Sequence, residues 1–164
     1  MATALDTTFC EVTGTPVSRA FARLLDRLAA LADIDRGFPR AYSQADHDRH
    51  CNAAEAAHSA VMEAASAVLS ETVERPLDGP LRRLALITEL QMSIECPHER
   101  QHLFKTIQNH RDVFDISGDS RAAYDVWQLQ TGFFTLYTAL VEGHAVATLE
   151  AEQTERDSIA PVLA

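Results

Sequence analysis

Apolar residues in this chain recur three and four positions apart, and no stretch alternates apolar with polar as a half-buried strand requires. Val17, Phe21, Leu24, Leu28 and Leu31 are the clearest case, a heptad seam. A chain patterned this way buries its apolar surface by packing helix on helix. The expected fold class is therefore all-α, an up-and-down bundle of four to five helices, two of them long.

Capping signals divide the chain into elements. Thr15 suits an N-cap and Pro16 suits the first helical position, so a first helix is predicted from Pro16 to about Asp35, ended by Gly37 and Pro39. Ser43, with Asp46 three residues on, opens a second helix that runs until Arg75 meets Pro76. A third begins near Pro80, with Leu84, Ile87, Leu90 and Ile94 as its expected core stripe. Proline inside a helix removes a backbone bond and clashes with the preceding turn, so Pro97 is a break. Leu103, Phe104, Ile107 and Phe114 would also lie opposite Ile87 and Ile94 on a continuous helix. Two helices are expected, Pro80 to Glu95 and Pro97 to about Phe114, with one kinked helix as the alternative. After the turn Ser117-Gly118-Asp119-Ser120 a last helix runs from Arg121 to about Glu155. Its core arc is Val126, Phe133, Tyr137, Leu140 and His144, flanked by Leu129, Phe134 and Val141, with Gly132, Ala139 and Gly143 as a strip of small residues. Residues 1–15 read as a flexible segment, 16–156 as one bundle domain and 157–164 as a tail.

The chain has 164 residues, 46% hydrophobic and 23% charged, which suffices for one globular core. Its formal net charge of −10 and lack of a basic stripe disfavour nucleic acid and anionic membrane surfaces as partners. No apolar run approaches the roughly 20 residues of a membrane span, and residues 1–15 lack the pattern of a secretory leader. Cys10, Cys51 and Cys96 match no disulfide framework, so a reducing, cytoplasmic setting is expected. Abundant alanine, and arginine in preference to lysine, suggests a bacterial origin.

On the second helix, His47, His50, Cys51, Ala54, His58, Val61, Ala65, Val68 and Leu69 share one arc, the one expected to face the core. Glu55-Ala56-Ala57-His58, Glu95-Cys96-Pro97-His98 and Glu99-Arg100-Gln101-His102 are ExxH tetrads, each able to offer a carboxylate and an imidazole from one helical face. Counting back through the short connection between the second and third helices sets His58 level with about Pro97. The two further glutamates of a two-metal carboxylate bundle are missing. A single site drawn from His47, Cys51, Glu55, His58, His98 and His102 asks less, and would suit zinc or iron. His47 and Cys51, four apart, are a chelating pair. His58 is two turns further on, about 10 Å away, too far to share one ion with Cys51. Trp127, Phe133, Phe134 and Tyr137 are candidates to line an apolar pocket.

No phosphate-binding glycine loop, nucleophile elbow, HExxH or paired-cysteine motif is present, so no catalytic residue is assigned and the reading leans away from an enzyme. At 1.5 Å per residue the second and last helices would each exceed about 45 Å, long for so small a domain. The function expected is a non-catalytic bundle that self-associates, as a homodimer, and binds a protein partner. No cofactor is firmly implied. The alternative is a metal- or cofactor-binding bundle using the His/Cys/Glu cluster.

Overall fold

The protein is an all-α bundle. The structure, a computed structural model, describes residues 14–37, 43–116 and 118–159, with side chains described through Val141. In chain order the helices are α1 (Pro16–Arg36), α2 (Gln44–Ser70), α3 (Asp78–Ser93), α4 (Pro97–Asn109) and α5 (Arg121–Ile159), with a 3-10 turn at Arg111–Phe114 before α5. No strand occurs among the described residues. The expectations for residues 1–13, Pro39, Ser117 and 160–164, and for the packing of Gly143 and His144, lie outside the described residues. Helix α5 continues past Asp157, where the tail was expected to begin.

The predicted caps form. Thr15 Oγ1 accepts the Ser18 N–H at 3.2 Å, and Pro16 starts α1. Ser43 Oγ accepts the Asp46 N–H at 3.3 Å and donates to the Asp46 carboxylate at 2.7 Å. Pro97 separates two helices rather than bending one, and it sits at the start of α4. The α4 segment runs helical only to Asn109, where the His110 N–H closes onto Thr106 and Ile107, and the chain tightens into the 3-10 turn.

Helix α1 is the central element, packed against α2, α3 and α5. Its whole heptad seam is buried, together with Ala20, Leu25 and Ala32. Val61, Ala65 and Val68 of α2, Leu81, Leu84 and Ala85 of α3, and Val126, Phe133, Tyr137 and Leu140 of α5 complete the core. Phe133 links the aromatics, 6.0 Å from Phe21 and 5.3 Å from Tyr137 between ring centroids.

Helix α2 ends at Ser70, short of the expected boundary at Arg75–Pro76, and buried Asp78 organises the connection that follows. The Asp78 carboxylate accepts the N–H groups of Glu74 and Arg75, at 2.9 and 3.0 Å, and the Thr15 hydroxyl at 2.5 Å. Arg82 donates to the Leu69 carbonyl at 2.6 Å and satisfies the end of α2. Helix α3 is rotated from the expected stripe: Leu90 is half exposed, while Thr88 and Gln91 are buried. Both polar side chains are satisfied where they sit, Thr88 by the Leu84 carbonyl and Gln91 by Tyr137 and Arg100.

Candidate functional site

The arc of α2 that carries the imidazoles and the thiol does not face the core along its length. His47, Cys51 and His58 are exposed and His50 is half-buried; burial on α2 begins only at Val61. The reason is the length of α1. Leu31 and Asp35, in its last turns, lie beside Ala54, Glu55 and His58 of α2 and beside Tyr137, Leu140 and Val141 of α5. Beyond that level α1 has ended, and residues 44–53 of α2 continue for about 15 Å without it. Periodicity put the side chains on one face; the end of α1 leaves that face without α1 beside it.

The candidate ligands therefore separate into three places. His47 Nε2 and Cys51 Sγ lie 3.6 Å apart on the projecting part of α2. Glu55 and His58 line a cavity one to two turns further along. His98 and His102 are exposed on α4. Among the described residues no group of three or more His, Cys, Asp or Glu side chains is gathered to hold one metal ion. His58 lies level with Met92 rather than Pro97, with its Nε2 3.2 Å from the Met92 carbonyl oxygen. Cys96, the other described cysteine, is exposed at the N-cap of α4.

The cavity has a volume of about 510 Å³ and lies where the end of α1 meets α2, α3, α4 and α5. Leu31, Met92, Leu140 and Val141 form much of its apolar wall. Its polar groups are Asp35, Glu55, His58, Ser59, Gln91, Arg100 and Tyr137. Gln91 is used at both ends: its Oε1 accepts the Tyr137 hydroxyl at 2.9 Å and its Nε2 donates to the Arg100 carbonyl at 3.4 Å. Arg100 in turn donates through Nε and Nη2 to the Ile94 carbonyl, at 3.3 and 2.7 Å, bracing the corner between α3 and α4. Burial pushes the Tyr137 phenol far above its ordinary range, so it acts at neutral pH as a hydrogen-bond donor and not as a base.

Sequence reading found Glu55 and His58 but missed Asp35, Gln91 and Arg100. One signal was available for Gln91. Leu81, Leu84, Thr88 and Gln91 recur at spacings of three and four, a continuous arc if polar residues are admitted to it. Of the aromatics expected to line a pocket, Tyr137 does line the cavity, Phe133 and Phe134 are buried in the core, and Trp127 is 51% exposed and stacks on Tyr124 at 5.7 Å.

No helix among the described residues is long and apolar enough to cross a membrane. Comparison of the chain with protein-family models, with curated proteins and with solved structures finds no match.

Proposed function

We propose that the chain is a non-catalytic helical-bundle protein that self-associates and binds a protein partner. One observation carries the reading: α2 and α5 both outrun α1 at the same end of the bundle. Helix α5 runs in the direction of α1, with Gly132 beside Leu25 and Val141 level with Asp35, and then continues to Ile159. Residues 142–159 extend for about 27 Å past the last turn of α1. A helical pattern much longer than about 25 residues is a signal of packing beyond its own domain, as in a coiled coil. The stacked Tyr124–Trp127 pair, near the start of α5 and away from that end, supplies an exposed aromatic surface of the kind enriched in protein interfaces. Light scattering across a concentration series tests self-association. The expected mass is twice the 18.1 kDa of one chain, and a strict monomer at every concentration overturns the reading.

A second reading, a bundle that holds a small ligand or cofactor, is favoured by the cavity, where Glu55 and His58 meet Asp35, Arg100 and Tyr137 beside an apolar wall. Elemental analysis and mass spectrometry of untagged protein under native conditions test it. The expected result is a bound species lost in His58→Ala; protein that carries nothing, in cell extract as after purification, removes this reading.

A further inference from the structure

We infer that the cavity at the end of α1 takes a small zwitterion with a short apolar tail, of the amino-acid class, its ammonium on the side of Glu55 and its carboxylate at Arg100. The inference rests on the ligand-holding reading, the second of the two above, and gives that ligand its chemistry.

Charge supplies the first argument. Glu55 of α2 and Arg100 of α4 both line the cavity, yet no ion pair joins them. Neither is paired with any other opposite charge among the described residues. Arg100 commits Nε and Nη2 to the Ile94 carbonyl, which fixes the guanidinium in place and leaves Nη1 and the positive charge for a carboxylate. Opposite charges that share a cavity without meeting are matched by a ligand charged at both ends.

Hydrogen-bonding capacity sorts the cavity into the same two sides. His58 Nε2 faces the Met92 carbonyl, which only accepts, so Nε2 carries the proton and Nδ1 of the neutral imidazole is an acceptor. Glu55 and Asp35 are acceptors too, so the α1–α2 side suits an ammonium. On the α3 side, Gln91 gives one Nε2 proton to the Arg100 carbonyl and its Oε1 accepts from Tyr137. Its second Nε2 proton has no partner among the described residues, although Gln91 is only 2% exposed. A buried amide proton beside Arg100 is a second donor for a carboxylate. Leu31, Met92, Leu140 and Val141 then offer the tail an apolar wall, within a volume of about 510 Å³. An inorganic ion would leave that wall unused, and a purely apolar molecule would leave the buried donor unpaired.

Calorimetric titration with L-leucine, isopentylamine and isocaproate tests the inference, since the last two keep the branched tail but lack the carboxylate and the ammonium respectively. The expected result is one leucine per chain, with each analogue weaker by at least about tenfold. Glu55→Gln, at an exposed position, is expected to weaken leucine and isopentylamine and leave isocaproate unchanged. Ala54→Phe is expected to fill the cavity and abolish binding of leucine, with the helical circular dichroism retained. Either analogue binding as tightly as leucine overturns the inference, since one charge then suffices, but leaves the ligand-holding reading in place. So does failure of all three to bind while the native protein retains some other species that His58→Ala loses. Leucine bound equally by Ala54→Phe overturns the inference by moving the site elsewhere. No binding and no retained species overturns both.

Discussion

Asp78 shows how one side chain sets the course of a connection. Its carboxylate holds two backbone N–H groups of the α2–α3 segment and the Thr15 hydroxyl, while being only 1% exposed. Replacing it with alanine removes three hydrogen bonds to a charged acceptor, each worth about 1.5–3 kcal/mol, the one from Thr15 being buried. Asp78→Ala is therefore expected to lose about 3 kcal/mol or more in urea unfolding. A loss near zero would mean that water reaches the site. Tyr137 makes a different prediction. It is 1% exposed, and burial raises its pKa above that of an unfolded tyrosine. The folded chain keeps the phenol proton where the unfolded chain loses it. Its contribution to stability is thus complete below the unfolded value, about 10, and declines as pH rises above it. Ultraviolet titration of phenolate is expected to show Tyr137 ionising only as the bundle unfolds.

At the scale of the element, α3 is the instructive helix. Hydrophobicity selects Leu84, Ile87, Leu90 and Ile94; packing buries Leu81, Leu84, Ala85, Thr88 and Gln91. The two stripes share Leu84 and diverge toward the C-terminal end, where Gln91 bonds to Tyr137 across the core. Leu84→Ala is expected to cost about 2–5 kcal/mol, and Leu90→Ser less than about 0.5 kcal/mol. Equal losses would put the helix back on its hydrophobic face. Helix α5 gives a third case. A Cβ built on Gly132 meets its nearest neighbour, Leu25 Cδ1, at 3.5 Å, an ordinary contact. This glycine is not required by a close approach of backbones. Gly132→Ala is expected to raise stability by about 0.5–1 kcal/mol in the same unfolding assay, since alanine favours the helix. Gly132→Leu is expected to destabilise through overpacking.

For the whole molecule, the governing fact is unequal helix length. Helix α1 has 21 residues and α5 has 39, so a central helix about 32 Å long cannot cover a neighbour of about 58 Å. The end where α1 stops carries the cavity, the His47–Cys51 pair and the continuation of α5; the Tyr124–Trp127 pair lies toward the other end. If copies join at the first end, the second stays open. Trp127 is the only tryptophan in the chain, so its fluorescence reports on that surface alone. Acrylamide is expected to quench it equally at low and high protein concentration. Protection that grows with self-association would move the interface to the aromatic end.

Capping residues and apolar spacing determined much of this protein without tertiary information. Thr15-Pro16, Ser43 and Pro97 start helices because their local chemistry satisfies or excuses backbone donors there, and the seam of α1 is buried throughout because it meets neighbours along its length. Which faces are actually covered was decided only in three dimensions. The imidazole and thiol arc of α2 has the right period, yet its first ten residues lie beyond the end of α1. Gln91 reads as surface by composition, yet it is buried because Tyr137 and the Arg100 carbonyl complete its hydrogen bonds. Local sequence sets where a helix begins and which residues share a face; burial depends on what stands opposite, and that belongs to no single segment.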